Sequence, residues 1–432
     1  MSWKTGCERR NWMVDSESVL KEHKERKGKY EILSKVPLGT REELSTFYTP
    51  GVAYVSEAIA RDESGAYEYT TKGNTIAIVS DGTRVLGLGD IGPKAALPVM
   101  EGKAILFKKF GGVDAIPICI GTKDENEIIK FATQIAPTFG ALNIEDIESP
   151  KSIRIADRLA RSLDIPVFHD DQEGTSVVVL AALLNAMKIA GKKKDAKIVI
   201  NGAGSAGIGI ARLLTRASFS SIYVLDTSGL IYKGRKENMN EFKEEIAKST
   251  NRDAKSGTLS EAAEGADVLI GVSQKGAFSK ELISKMNERP IVFSLANPYP
   301  EIGYSEAKEA GAYVVATGAS NTPNQVNNIL AFPSIIRGLL DVRAKGLNYE
   351  MLESAAIAIA KSVGKDLSPE KIVPNPLEKN TAIKIAANVS AAVAAAAMKT
   401  GMARVEKDAK EVRKNTAGLI KRYWRMERKL AV

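Results

Sequence analysis

Residues 197–226 read KIVINGAGSAGIGIARLLTRASFSSIYVLD. Lys197 to Asn201 has the β-branched run of a buried strand, and Ile208 to Ala217 continues as a helix. Between them lies the turn Gly202-Ala203-Gly204-Ser205-Ala206-Gly207. Gly202 permits the tight turn, Gly204 lets the backbone approach a pyrophosphate, and Gly207 permits close helix–strand packing. The helix start adds unpaired N–H groups and a partial positive charge that suit phosphate. Ile222 to Leu225 is the next strand, and Asp226 at its end lies about 20 positions past the last glycine, where a dinucleotide-binding βαβ unit carries its ribose acid. Three glycines alone mark many ordinary turns. Their place between strand and helix, with the acid in register, makes Gly202, Gly204, Ser205, Ala206, Gly207 and Asp226 the expected cofactor-binding residues. Asp226 favours NAD, since it bonds ribose hydroxyls and repels a 2′-phosphate, whereas Lys233 and Arg235 lie close enough in sequence to accommodate NADP.

Upstream, short apolar strands alternate with alanine-rich helical stretches. Thr75 to Ser80, Val113 to Ile120, Leu142 to Ile144 and Ile165 to Phe168 read as strands; Asp124 to Ile135 reads as a helix. Glu145 and Asp146 follow the third strand, and His169, Asp170 and Asp171 follow the fourth. Carboxylates at the carboxyl ends of strands occupy the usual ligand position of open α/β sheets. Glu145, Asp146 and Asp171 are hard ligands of the kind that suit Mg2+ or Mn2+, although isolated acids are mostly solvated surface. His169 fits a hydrogen-bond donor behind the ligands, or a packed ring. Downstream, Val268 to Val272 and Ile291 to Leu295 add strands. The predicted class is α/β in two domains, an N-terminal α/β catalytic domain and a Rossmann-type NAD(P)-binding domain. The expected divisions are 1–170, 171–400 and a charged helical tail at 401–432, whose Tyr423-Trp424 pair docks on a neighbouring surface.

The 432 residues allow two or three cores, and 44% hydrophobic with 26% charged residues is ordinary for a soluble globular chain. Two cysteines, Cys7 and Cys119, build neither a disulfide framework nor a four-thiolate zinc site, which points to a reducing compartment, the cytoplasm. The charged start (Lys4, Glu8, Arg9, Arg10) has no apolar leader, and the first forty or so residues read as helical up to Pro37-Leu38-Gly39. Ser176 to Met187 and Val389 to Met398 fall short of a bilayer span and read as buried helices. The net charge of +9 is spread without an aromatic-interleaved basic stripe, so it reads as solvated surface favouring anionic small ligands over nucleic acid or membrane.

Six further strings occur in order: YTPGVA from Tyr48, DGTRVLGLGDIG from Asp81, PVMEGK from Pro98, FHDDQEG from Phe168, LANPYP from Leu295 and PNQVNNILAFP from Pro323. Together they resemble the malic enzyme family in its short bacterial and archaeal form, from about Pro37 to Arg404. The resemblance implies oxidative decarboxylation of L-malate to pyruvate and carbon dioxide with NAD or NADP and a divalent metal, Mg2+ or Mn2+, in a homodimer or higher homo-oligomer. By motif position Tyr48 matches the general acid and Lys103 the general base, with Lys94 a weaker candidate. Glu145, Asp146 and Asp171 match the metal ligands. Asn297, Asn327 and Asn328 match residues that hold malate and the nicotinamide end, and Arg84 stands where larger members place a malate-binding arginine. A base of this kind requires a lysine whose pKa is depressed by burial or neighbouring cations. Short members commonly carry Arg-Ser-Asp-aromatic before PNQ, whereas this chain has Ala319-Ser320-Asn321-Thr322, a change that bears on affinity and cofactor choice. Malate dehydrogenase or oxaloacetate decarboxylase chemistry would use the same site; a basic nucleic-acid-binding Rossmann protein is the alternative of another class.

Overall fold

The computed structural model describes residues 15–85 and 87–430. Lys4, Cys7, Glu8, Arg9 and Arg10, and Leu86 within the glycine-rich string, lie outside the described residues. Strands β1 (Thr75–Ser80), β2 (Asp114–Cys119), β3 (Ala141–Ile144) and β4 (Val167–His169) form a parallel sheet in the order β2-β1-β3-β4. All six residues of β1 are buried, as a central parallel strand covered on both faces requires.

A second sheet holds β5 (Ile198–Asn201), β6 (Ile222–Asp226), β7 (Gly229–Leu230), β8 (Val268–Gly271), β9 (Ile291–Ser294) and β10 (Val314–Thr317), in the order β10-β9-β8-β5-β6-β7. Its pairings are parallel except β6 with β7, a two-residue edge strand. The chain runs outward from β5 to β6, then returns to place β8 on the other side. That reversal makes a topological switch point between β5 and β8, directly above the glycine turn. The α/β class expected from the sequence is the fold observed. Strands β7 and β10 were not expected, being too short or too weakly bounded to register as strands.

The apolar helix Thr175–Ala190 lies between the two sheets. One continuous core joins Ile76 and Ile78 of β1, Val177 to Leu183 of this helix, and Ile198 and Ile200 of β5. By length and composition alone this helix, extended back to Asp170, and Lys379–Lys399 could each cross a membrane, contrary to the shortfall expected from the sequence; both are mostly buried against the rest of the chain. Helix Ala409–Leu430 closes the opposite side, where buried Trp424 donates its indole N–H to the Lys109 carbonyl at 3.0 Å. The amino-terminal helix is shorter than expected, Ser16–Arg26, because Gly28, Pro37 and Gly39 interrupt any continuation. Among the described residues up to Arg61, none is buried.

The two halves meet where function is expected. Helix Ser205–Arg216, which follows the glycine turn, rests on the irregular turn Asp170–Gly174 that follows β4. A methyl group at Gly209 would lie 2.6 Å from the Gln172 carbonyl oxygen. The Ser152 and Ser205 hydroxyls hydrogen-bond across the same junction at 3.1 Å. Gly209→Ala sets helix propensity, worth about 1 kcal/mol in favour of alanine, against overpacking of roughly 1–3 kcal/mol or more. Net destabilisation in urea unfolding is the expected outcome, and a gain in stability would show that this junction is loose.

Candidate active site

Helix Gly92–Gly111 opens with proline at its first turn and carries Lys103 toward the carboxyl ends of β3 and β4. The Lys103 ammonium lies 2.9 Å from Glu145 Oε1 and 2.6 Å from Asp170 Oδ2, and 4.5 Å from the centre of the Phe332 ring. Asn143 Nδ2 donates to the other Glu145 oxygen at 2.7 Å. Asn328 Nδ2 donates to Asp170 Oδ2 at 3.0 Å and to the Asp170 carbonyl at 3.2 Å. Asp146 adopts a left-handed backbone with φ 51°, and its carbonyl accepts from the Arg84 N–H at 3.0 Å. Strained backbone at a non-glycine residue of this kind concentrates at functional sites.

The charges are frustrated. Burial raises Asp146 first, and the neighbouring Glu145 and Asp171 carboxylates raise it further, to about 9. Burial likewise lifts Glu145 to about 7 against the opposing pull of Lys103. In Asp171 burial acts upward, but the His169 ring, 3.8 Å from its carboxylate, and the charges of Lys103 and Arg84 outweigh it, leaving the group below its ordinary value. Burial acts to lower Lys103, yet Asp170 and Glu145 overcome it and hold the ammonium above its ordinary value. That reverses the expectation of a depressed lysine: two buried carboxylates surround the amine, where neighbouring cations were expected.

Asp146 Oδ2, Asp170 Oδ1 and both His169 ring nitrogens are buried without a hydrogen-bond partner. An unsatisfied oxygen beside mutually repelling carboxylates is the donor chemistry of a hard divalent cation. Glu145, Asp146 and Asp171 are close enough to perturb one another, but they do not form the ready cage expected of them. Among the described residues no three acidic, histidine or cysteine side chains stand close enough to grip one ion. Glu145 is instead paired with the nearest positive charge, Lys103.

Other expected residues divide clearly. Lys94 is exposed, on the first turn of the helix that carries Lys103 nine residues later, about 13 Å along its axis. Arg84 is exposed beside Asp146 and acts on Asp171 by its charge. Asn327 is taken up in capping the N–H of Ile329 at 3.0 Å, and Asn328 in holding Asp170. Asn297 is exposed after β9, with its amide against Gly318. Tyr48 is not gathered into the cluster; it ends helix Arg41–Phe47 with 65% of its surface exposed. Sequence reasoning missed Asp170 as the partner of Lys103. It stood in the quoted FHDDQEG string, but the direction of a side chain in an irregular turn is not set by strand periodicity.

The glycine turn has the expected shape. Gly202 has φ 121°, and a methyl group there would lie 2.5 Å from the Val272 carbonyl oxygen. A methyl group on Gly207 would overlap the Gly202 carbonyl, whereas nothing lies within 4 Å of one on Gly204. The open approach is therefore at the middle glycine. Asp226 does not stand free to repel a 2′-phosphate as expected. Its carboxylate accepts from Arg235 Nη1 at 2.9 Å, from Arg235 Nη2, from Lys243 Nζ at 2.7 Å and from the Ser228 N–H at 2.9 Å. Burial acts to raise it, but those donors outweigh burial and keep it below its ordinary value.

Two family models account for these features. The malic enzyme NAD-binding domain matches residues 172–399, and the malic enzyme N-terminal domain matches residues 27–127. The chain belongs to the malic enzyme family. It is 50% identical over 405 residues to the bifunctional malic/malolactic enzyme of Bacillus subtilis (strain 168), covering 93% of this chain and 98% of that one. The NAD-dependent malic enzyme of Geobacillus stearothermophilus is 52% identical over 87% of this chain and 78% of its own. The crystal structure of the malic enzyme from Pyrococcus horikoshii Ot3 superposes with a TM-score of 0.91 at 48% identity, covering 95% of this chain and 96% of that one. A malic enzyme of this family uses a nicotinamide cofactor, and the NAD-binding match spans the glycine turn described above.

Asp146 near 9 and Glu145 near 7 mean that the folded chain binds protons the unfolded chain has released. Stability from these groups is complete below the unfolded carboxylate range and is lost as pH rises through 7 and 9. Asp171 has the opposite sign, but its window lies below the ordinary carboxylate value. In EDTA the melting temperature is therefore expected to fall between pH 5.5 and 9 as these two acids deprotonate, and added Mn2+ is expected to restore most of the loss above pH 7. A flat profile with no response to Mn2+ would contradict this assignment of the acids.

Proposed function

We propose that the chain catalyses oxidative decarboxylation of L-malate to pyruvate and carbon dioxide, with reduction of NAD(P)+. The observation that carries the reading is Lys103, held between Glu145 and Asp170 at strand ends packed against the dinucleotide helix. Glu145, Asp146 and Asp171 would hold a Mg2+ or Mn2+ ion, which supplies Lewis acidity at the malate C2 oxygen and carboxylate. A nicotinamide cofactor held over the glycine turn would supply the acceptor for the C2 hydride. Lys103 takes the proton of the C2 hydroxyl. Asp170, fixed by Asn328, orients the amine, and a metal that engaged Glu145 would leave it as the one carboxylate holding Lys103 charged. After carbon dioxide leaves, Tyr48 returns a proton to C3. Arg84 and Asn297, exposed at the cleft, bind the substrate carboxylate and the nicotinamide end. NAD remains the favoured cofactor, but with Asp226 neutralised by Arg235 and Lys243 the discrimination against NADP is modest.

The parts 1–170, 171–400 and 401–432 act as catalytic domain, cofactor domain and docking tail, in the reducing cytoplasm. The active form is at least a homodimer. Helices Arg41–Phe47 and Gly51–Arg61 expose Phe47, Val52, Tyr54 and Val55 around Tyr48, an apolar face that a second copy would cover. Sedimentation should give a dimer or larger for the natural chain and a smaller species for Val55→Asp; a natural chain that sediments as a monomer would contradict the dimer.

Lys103→Ala is expected to lower malate oxidation by at least about 10²–10⁴-fold, the usual worth of a general base. Tyr48→Phe should slow pyruvate release while sparing reduction of an added α-keto acid. Stoichiometric pyruvate, carbon dioxide and reduced cofactor from malate with Mn2+ test the reaction itself. Oxaloacetate accumulating in place of pyruvate would point to a plain malate dehydrogenase.

A further inference from the structure

We infer that Glu301 is a positioning residue for the nicotinamide half of the cofactor cleft, an inference that rests on the dinucleotide reading of the second sheet. Glu301 lies seven residues beyond the end of β9, just after Asn297-Pro298-Tyr299-Pro300, and its side chain is fully buried. Oε1 accepts from the Ser273 N–H at 2.7 Å and from the Ser273 hydroxyl at 3.1 Å. Oε2 accepts from the Ser294 hydroxyl at 3.2 Å and from the Ala296 N–H at 3.0 Å. Ser273 also accepts from Asn201 Nδ2 at 3.0 Å.

These bonds make one polar line, Asn201–Ser273–Glu301–Ala296, across the carboxyl ends of β5, β8 and β9. The fit is close: a methyl group at Gly271 would lie 2.8 Å from Glu301 Cγ. All four donors to the carboxylate are neutral, and no cation pairs with it among the described residues. A charge buried without a counter-ion is costly unless every lone pair is met. Here the backbone N–H groups of Ser273 and Ala296 and the Ser273 hydroxyl meet them, with the single Ser294 hydroxyl proton shared between Glu301 Oε2 and the Ile302 carbonyl at 3.1 Å.

The location gives the brace its role. The glycine turn and Asp226 lie over β5 and β6, on one side of the switch point, which takes the adenosine and pyrophosphate. The nicotinamide half then lies over β8 and β9, on the other side. The loop that Glu301 fixes through Ala296 carries Asn297. Its Pro298 also reaches the glycine-rich string of the first half: a methyl group on Gly87 would lie 3.2 Å from Pro298 Cγ. Glu301 therefore sets the distance between the ring-binding loop and the segment that carries Arg84, without itself touching substrate.

Glu301→Gln tests this, because an amide must turn its NH2 toward one backbone N–H, that of Ser273 or that of Ala296, whichever way it is placed. Calorimetry of NAD+ and of ADP-ribose, which lacks the nicotinamide, is compared with turnover and the isotope effect on 2-deuteriomalate. The expected result is ADP-ribose affinity within about twofold of the natural chain, NAD+ affinity and kcat each lower by about tenfold, and a larger isotope effect. Ser273→Ala, which removes one donor and should fold readily, is expected to change the same quantities by a few fold in the same direction. Unchanged NAD+ affinity and kcat in Glu301→Gln, or equal weakening of NAD+ and ADP-ribose, would overturn the positioning role. If Glu301→Gln does not fold, Ser273→Ala decides by the same criteria. A natural chain that binds neither ligand would instead overturn the dinucleotide reading, and this role with it.

Discussion

Everything at the centre of this molecule depends on one lysine surrounded by buried acids. Lys103 is the cation that pairs with Glu145 and Asp170, while Asp146 and Asp171 crowd the same volume. In a low-dielectric interior, acids so close cannot all ionise without further positive charge. The chain resolves this in part by protonation of Asp146 and in part by turning Glu145 toward the amine. Both adjustments leave an unsatisfied Asp146 oxygen that a divalent ion would meet, and keep the lysine charged while Glu145 stays its partner. A base held protonated by one of the groups that binds metal couples proton affinity to metal binding at the same atoms.

The fold makes that cluster useful by placing it against a second sheet. Glu145 and Asp171 leave the carboxyl ends of β3 and β4, and the helix after the glycine turn packs on the segment holding Asp171 with no room for a methyl group at Gly209. Lys103 itself stands on a helix locked at its far end by Trp424. Residues far apart in sequence are thus held to a fixed spacing by backbone packing, which suits hydride and proton transfers that require close alignment.

Most of the architecture was legible in the chain. The glycine turn and its flanking strands follow from period, punctuation and the position of Asp226, and all three glycines have the steric reason assigned to them. Strands β3 and β4 carry their acids at the ends where these were expected. The rest lay in side-chain geometry that no local pattern encodes. Asp170 and Asp171 are adjacent in sequence, yet an irregular turn sends one to Lys103 and the other toward His169. Asp226 reads as a free ribose acid until Arg235 and Lys243 fold back upon it. Asn327 and Asn328 read as a substrate pair, yet their side chains cap a turn and hold an acid. Tyr48 matched a motif but stands on an exposed face, since a motif match does not encode which surface a side chain ends on.

The central claim is that the carboxylate cluster and the nicotinamide end of the cofactor share one cleft. Paramagnetic broadening of bound NAD+ proton resonances by Mn2+ measures that separation directly. The account predicts strong broadening of the nicotinamide protons, weak broadening of the adenine protons, and loss of both effects in Asp171→Asn. Equal broadening at the two ends, or broadening that survives Asp171→Asn, would contradict it.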